Sequence, residues 1–572
     1  MKKLYLYRLN SLILLACTSM AVWSAPPKDI YRKGWIDFNK NGKMDIYEDP
    51  SAPMEERVKD LLSQMTLEEK AGLCSGLDFW HTKSVERLGV PSVMVSDGPH
   101  GLRKQDDKGD HLGMNDSIKA VCMPAASATA ASFDRDLIRK MGEAIGDSCQ
   151  HEKLSVVLGP AVNIKRSPLC GRNFEYFSED PYLAGEMSAA YINGVQSRNV
   201  GTSIKHFAAN NQEHRRMSSS SNADERTLRE IYFPAFETSV KKAQPWTVMC
   251  SYNRINGTYA AENKQLLTDI LRDEWGFDGY VVSDSDAVEY VYNKHHVAET
   301  YEEAVRMVLE AGLNVRTTFA APDIFILPAR KLVKEGRLSM KVIDERVADV
   351  LRVKFRLGLF DQPFVADPKA ADKIVGADKN KDFVLDIQRQ SLVLLKNENN
   401  LLPLDKNKLS RILITGPLAK EENYMVSRYG PQELENITVY EGIKNYLGNK
   451  VAVDYALGCK VKDAKWPESE IIHSPLTTEE QQEIQNAVEK AKLSDIVIAV
   501  LGEDEESTGE SKSRSGLDLP GRQQQLLEAL YATGKPIVLV LINGQPLTIN
   551  WADRYIPAIL EAWFPGQMGG TA

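Results

Sequence analysis

The sequence has no Cys-x-x-Cys pair and no tight cluster of several Cys and His residues. This excludes the ligand spacings of structural zinc and iron–sulfur sites. Apart from Cys17, the cysteines are Cys74, Cys122, Cys149, Cys170, Cys250 and Cys459, all far apart. That spacing reads mostly as buried thiols, with a disulfide or two compatible with an oxidising compartment. There is no surplus of positive charge: 70 Lys and Arg stand against 79 Asp and Glu, for a net charge of −9 and a pI near 5.7. Nucleic acid is thereby disfavoured as a partner, because phosphate binding needs clustered cations. Nowhere is an apolar run long enough to span a bilayer.

What is present is an ordinary soluble composition, 43% hydrophobic and 26% charged over 572 residues. That length calls for at least two domains. The first 25 residues read as an export signal: Lys2, Lys3 and Arg8, then an apolar run from Leu12 to Val22, then small residues at Ser24 and Ala25. Leu14-Leu15-Ala16-Cys17 also resembles a lipoprotein processing site, and a lipid anchor on Cys17 is the alternative to simple export into the periplasm or onto the outer surface. No feature specifies an oligomeric state.

Residues 26–54 form a short leading segment. Within it, Asp37, Asn39, Asn41, Lys43, Asp45 and Glu48 fit the twelve-residue calcium loop, with Gly42 at the sharp turn. Lys43 would contribute its carbonyl. The spacing makes a structural calcium the expectation, with no part in catalysis, although no clear helix precedes the loop.

From 55 to 362 short apolar runs alternate with amphipathic helices. The runs include Ser155–Leu158, Thr202–Ile204, Thr247–Cys250, Tyr280–Val282 and Leu313–Val315; helices are predicted over Asp180–Ser197, Thr227–Lys241 and Tyr301–Ala311. Strand–helix repeats imply a parallel sheet, and their number predicts an α/β fold with a (β/α)8-type barrel. Residues 363–381 read as a linker. From 382 to 572 a second α/β region, a sandwich domain, is predicted, with a helix over Asp382–Lys396 and strands at Arg411–Thr415, Ile496–Leu501, Pro536–Ile542 and Ala558–Ala562. It reads as incomplete, because the chain stops just after a strand and a Gly-rich turn.

Polar residues gather just past the barrel strands: Lys205-His206, Tyr252-Asn253 and Ser283-Asp284. Barrel enzymes build their sites at those strand ends. Asp286 with Glu289 forms a capping-box pattern, which leaves Asp284 surplus to capping and a candidate nucleophile. A second carboxyl is expected from the acidic loop 501–514. Spacing alone leaves Glu503, Glu505, Glu506 and Glu510 open, with Arg514 as a residue that could orient one of them.

The ordered stretches Ser96–Arg103, Gly171–Asp180, Lys205–Glu213, Asp224–Tyr232, Val248–Asn253, Gly279–Asp284, Gly509-Glu510 with Arg514, and Leu517–Gly521 resemble glycoside hydrolase family 3. The resemblance runs from about residue 55 to the end. It implies a retaining, exo-acting β-glycosidase, most simply a β-glucosidase releasing terminal glucosyl residues from oligosaccharides or glycosides, with no cofactor for catalysis. Asp284 corresponds to the nucleophile and Glu510 to the acid/base. Asp97, Arg172, Lys205, His206 and Tyr252 match positions that hold the sugar. Met249 and Tyr252 would line its apolar face, and Arg103 and Ser285 belong to the same substrate-binding set. Ser285 departs from the Trp usual in family glucosidases. Asp97 stands where family β-xylosidases tend to have Glu, and so leaves room for a hydroxymethyl group. The rivals are a β-xylosidase or α-L-arabinofuranosidase of the same family, and an inactive sugar-binding protein on the same fold.

Overall fold

The computed structural model describes residues 28–105, 117–361, 378–422, 429–431 and 436–572. The signal-like start, Cys17 and most of the expected linker lie outside the described residues.

The first sheet is five parallel strands in chain order: β1 (Val95–Asp97), β2 (Val156–Leu158), β3 (Gly201–Phe207), β4 (Thr247–Cys250) and β5 (Tyr280–Val282). Strands β2 to β5 are buried along their whole length. Near-continuous apolar runs are what a parallel strand covered on both faces requires. Between strands run helices such as Arg135–His151, capped by Asp134, and Pro181–Gln196, capped by Asp180 with proline in its first turn. Both arrangements satisfy free N–H groups at a helix start.

The expected eightfold strand–helix repeat is not what closes this sheet. Leu313–Val315 contributes a single parallel bridge, Val315 to Val282, instead of a full strand. Arg316 then bridges Ser75, Gly76 bridges Thr82 antiparallel, and His81 bridges Met94 antiparallel, beside β1. Pairings therefore return to the first strand through a short hairpin. A parallel crossover needs a dozen or more residues and usually a helix, and the stretch between Gly76 and Met94 forms only a short 3-10 turn, Glu86–Leu88. The predicted helix over Thr227–Lys241 is also divided. Its second half starts afresh at Pro234 and runs to Ala243, since proline has no N–H to continue the earlier turn.

The second sheet has six strands: β6 (Val393–Asn397), β7 (Arg411–Thr415), β8 (Ala452–Ala456), β9 (Ile496–Gly502), β10 (Ile537–Ile542) and β11 (Ala558–Glu561), in the order β6-β11-β10-β9-β7-β8. All pairs are parallel except the β6–β11 edge. The helix expected over Asp382–Lys396 runs Asp378–Ser391, and its last residues form strand β6 instead.

Alternate residues of the central strands face opposite ways, as a pleated strand dictates. Leu413, Val497, Ala499, Leu501, Leu539 and Leu541 pack on helices Thr478–Lys492 and Gln523–Tyr531. Ile414, Ile498, Val500, Val540 and Ile542 form a cluster with Cys122, Ala125 and Phe174 of the first domain. One face of the second sheet is thus pressed against the first domain, and the loop after β9 is carried toward the C-terminal ends of β1 to β5. All six described cysteines are buried.

Candidate active site

The residues expected from apolar-run ends and those implied by the family resemblance converge. Asp97 ends β1, and Lys205 lies in β3 with its Nζ 3.2 Å from Asp97 Oδ1. Arg103 is buried, and its backbone N donates to Asp97 O at 3.1 Å, closing the turn that follows β1. The Arg172 guanidinium donates to Glu175 through Nε and to His206 Nε2 through Nη2, the latter at 3.0 Å. Arginine can only donate, so Nε2 accepts and the imidazole proton sits on Nδ1. Burial, followed by Arg172, Lys205 and Arg216, holds the His206 pKa well below its ordinary value. His206 is therefore a neutral acceptor.

Glu510 reaches this cluster from the loop after β9. The loop is clasped by backbone: Gly509 N donates to Gly171 O at 2.8 Å, and Gly171 N to Lys512 O at 3.0 Å. A Cβ on Gly171 would meet the Lys512 and Gly509 carbonyl oxygens at 2.3 and 2.4 Å, so the approach demands glycine. Glu213 adds a third tie, accepting from Ser511 N at 2.7 Å. Arg216 donates to one oxygen of Glu510 and Tyr429 to the other, while Arg172 Nη1 stands 3.9 Å away.

Asp284 follows β5 and accepts from Ser285 N at 2.8 Å. Tyr252 donates its hydroxyl to Ser285 O at 2.7 Å, and Arg216 lies 5.0 Å over the Tyr252 ring. Met249 is buried in an apolar cluster with Leu158, Val282 and Val315, a core position at the strand ends.

Two carboxyls in one site have opposite leanings. Burial pushes the Asp284 pKa up, against the pull of Arg216. Glu510 is buried as well, yet Arg216, Arg172 and the Tyr429 hydroxyl bring it well below the usual carboxylate range. The charge of Glu510 adds to the rise at Asp284, and Arg216 feels both carboxyls.

The Glyco_hydro_3 N-terminal model, "Glycosyl hydrolase family 3 N terminal domain", matches residues 81–353, and the "Glycosyl hydrolase family 3 C-terminal domain" matches 392–572. The chain belongs to glycosyl hydrolase family 3. Thermostable beta-glucosidase B of Acetivibrio thermocellus is 43% identical over 520 residues, 90% of this family 3 chain and 63% of that protein. An exo-alpha-(1->6)-L-arabinopyranosidase of Bifidobacterium longum is 39% identical over 529 residues, 91% of this chain and 64% of that one. This chain therefore spans less than two thirds of the length of either relative. Among solved structures, the family 3 beta-glucosidase of Bifidobacterium adolescentis superposes with a TM-score of 0.73 at 37% identity, covering 89% of this chain and 68% of its own.

Some sequence expectations for this family 3 site need correction. Asp286 does not cap the helix Ala287–Asn293 with its side chain; it adopts a left-handed backbone and accepts from Thr318 Oγ1 at 2.5 Å. Glu289 is taken by Arg316 and Tyr301. Arg514 orients Glu503 at 2.8 Å and also binds Glu470, and Glu503 Oε2 accepts from Gly544 N and Gln545 N. Glu503 is thus a buried structural carboxylate, and Glu506 pairs with Lys462.

Sequence reasoning missed Arg216 and Tyr429. Arg216 lay just beyond the quoted Lys205–Glu213 stretch, three residues past Glu213, with which it pairs at 3.1 Å. Tyr429 sits in no strand or helix, so no periodicity could mark it.

The loop 37–48 is closed by its own groups. Gly42 N donates to Asp37 Oδ2 at 3.1 Å, Asn41 Nδ2 to Asp45 Oδ2 at 2.9 Å, and Phe38 N to Glu48 Oε1 at 2.7 Å. Asn39 Nδ2 also donates to Asp45, Asn41 Oδ1 accepts from Lys43 N, and Arg32 pairs with Asp37 at 2.8 Å. Among the described residues no three His, Cys, Asp or Glu side chains gather as metal ligands. Among the same residues no helix is long and apolar enough to cross a membrane.

Proposed function

We propose that this chain carries the site of a retaining, exo-acting β-glycosidase whose preferred substrate is a terminal β-D-glucoside. The observation that carries the reading is Arg216, which donates to Glu510 and lies over the ring of Tyr252, whose hydroxyl holds Ser285 beside Asp284. In the first step an Asp284 oxygen bonds to the anomeric carbon, the glycosidic bond breaks, and the Glu510 proton passes to the leaving oxygen. In the second, water attacks the anomeric carbon, Glu510 takes its proton, and the bond to Asp284 breaks.

The leanings of the two carboxyls must reverse for this to run: Asp284 has to be ionised and Glu510 protonated. A shift of the Arg216 guanidinium from Glu510 toward Asp284 does both, because a nearby cation favours the charged form of a carboxyl. Lys205 and Arg172 are placed to donate to sugar hydroxyls, and Asp97 to accept from them.

The glucoside assignment is supported by the relatives called beta-glucosidases, at 43% and 36% identity. A second reading, a β-xyloside or an α-L-arabinoside, is favoured by Ser285 in place of Trp and by relatives named exo-alpha-(1->6)-L-arabinopyranosidase and beta-xylosidase. Export is part of the proposal; a relative from Salmonella typhimurium, 32% identical, is named a periplasmic beta-glucosidase. The test is kcat/KM for aryl β-glucoside, aryl β-xyloside and aryl α-L-arabinosides. A glucoside preference upholds the reading, a pentoside preference replaces the substrate, and inertness toward all of them returns the sugar-binding alternative.

A further inference from the structure

Tyr429 lies in the second domain, between β7 and the helix Val439–Leu447, yet it sits inside the cluster formed by the first domain's strand ends. Lys205 Nζ is 4.5 Å from its ring centroid, and the Arg172 guanidinium 5.0 Å. The Phe174 ring lies nearly parallel to it, at 11° and 6.5 Å. Two cations and an aromatic ring fix the plane of the phenol. Its hydroxyl donates to Glu510 Oε2, while Arg216 donates to Oε1.

We propose that Tyr429 is the positioning residue for the acid, and that Oε2 of Glu510, the oxygen it holds, is the one that carries the catalytic proton. The inference rests on the reading of Glu510 as the proton donor. Its argument is one of donor chemistry. Arg216 has only N–H groups to offer and keeps its charge, so a proton is disfavoured on the oxygen it faces, and Arg216 moves off toward Asp284 as Glu510 is protonated. A phenol is both donor and acceptor. When Oε2 takes up a proton, the Tyr429 hydroxyl can turn and accept from it, so the oxygen remains satisfied in both protonation states. Burial keeps the Tyr429 pKa well above its ordinary value, so the phenol does not ionise in competition. The other charged groups facing Glu510 are Arg172 and Arg216, with Glu213 and Asp284 behind them. Of the groups bonded to Glu510, Tyr429 alone can change sides.

Tyr429→Phe, made in the full chain, removes the hydroxyl and keeps the ring under Lys205 and Arg172. Its pH profile of kcat/KM is compared with wild type on two substrates. Phenyl β-glucoside needs its leaving oxygen protonated, and 2,4-dinitrophenyl β-glucoside does not. With the hydrogen bond to the charged form gone, the alkaline limb on the phenyl substrate is expected to move up by about one pH unit. On the dinitrophenyl substrate no shift is expected. Superimposed limbs on the phenyl substrate, in a variant of wild-type thermal stability, overturn the inference and leave the proposed function standing. Should Tyr429→Phe not fold, 3-fluorotyrosine at position 429 keeps the ring and offers a stronger donor to the carboxylate: the alkaline limb on the phenyl substrate is expected to move down, and an unmoved limb overturns the inference. A wild type inert on both glycosides overturns the reading of Glu510 and this inference with it.

Discussion

Gly171 N donates to Lys512 O at 3.0 Å while Gly171 O accepts from Gly509 N at 2.8 Å, a reciprocal clasp with Glu510 held between its two anchor points. Gly171→Ala would drive a methyl group into both carbonyl oxygens. The loop must then lift by a fraction of an ångström or more. Overpacking of this kind costs about 1–3 kcal/mol in stability, and a misplacement near 1 Å costs roughly 10²-fold in rate. The expected outcome is a folded protein with a modestly lower melting temperature and a kcat on phenyl β-glucoside reduced by about two orders of magnitude. Unchanged kcat would mean that the clasp does not set the Glu510 position.

Asp284→Ala separates catalysis from binding. Asp97, Lys205 and Arg172 remain to hold a sugar, so glucose affinity measured by calorimetry should persist, while turnover falls by about 10⁴-fold or more. A small loss of turnover would move the nucleophile elsewhere. Equal inertness of wild type and variant, with both binding sugar, would favour a binding protein on this fold.

Glu561 ends β11 as a buried carboxyl whose Oε1 accepts from Trp563 N at 2.8 Å. Burial pushes its pKa up from 4.5 to about 8, opposed by the Trp563 and Asn543 hydrogen bonds and reinforced by Glu503. Because the folded pKa lies above the unfolded one, its contribution to stability is present in full below about pH 4.5 and is lost as pH rises through about 8. Glu561→Gln keeps an acceptor for Trp563 and cannot ionise. Its stability relative to wild type should therefore improve between pH 5 and 9, by an amount on the order of 3–5 kcal/mol if the full shift is realised. Denaturant unfolding across that range gives the measurement, and a pH-independent difference would show that Glu561 is already ionised in the fold.

For the loop 37–48, the self-satisfied hydrogen bonds predict indifference to calcium. Asp45 Oδ2 is held by both the Asn39 and Asn41 amides, and Asp37 by Arg32. Melting temperature in millimolar calcium should match that in chelator. A rise with calcium would mean that the two amides turn their oxygens inward and Arg32 leaves Asp37, which restores the ligand spacing read from the sequence.

The parts of the fold legible in the sequence were those set by local pattern. Strands β2, β4, β5, β9 and β10 are mostly apolar runs, and the helix Pro181–Gln196 carries both its cap and its periodicity. Long-range pairing was not legible. Nothing local marks the hairpin between Gly76 and Met94 that links Ser75 back to β1, and β6 looks helical because only Leu392 separates it from the helix Asp378–Ser391, with no Gly or Pro to mark the break. The site divides the same way. Lys205, His206 and Asp284 were found because they directly follow short apolar runs, whereas Asp97 came from the family resemblance. The choice of Glu510 over Glu503 came from family resemblance, and the reason lies in tertiary contact: Glu503 is spent on Arg514 and two backbone N–H groups, leaving Glu510 to face the cluster. Arg216 and Tyr429 act through partners some 300 and 80 residues distant (separations of 294 and 81 from Glu510), beyond the reach of any periodicity.

Asp97 is the residue on which substrate choice can be tested most directly. Its Oδ1 is anchored 3.2 Å from Lys205 Nζ at the end of β1. Asp97→Glu adds one methylene and carries the carboxylate further into the space where a hydroxymethyl group would lie. One methylene changes discrimination by about 10- to 200-fold in a shaped pocket. The ratio of kcat/KM for aryl β-xyloside over aryl β-glucoside should therefore rise by at least about 10-fold, chiefly through a loss on the glucoside. The variant keeps a carboxylate for Lys205, so its folding should be unaffected and thermal unfolding checks this. If both substrates lose activity equally, Asp97 holds hydroxyls common to both sugars, and the room for a hydroxymethyl group is governed from the other wall, where Ser285 stands in place of a tryptophan.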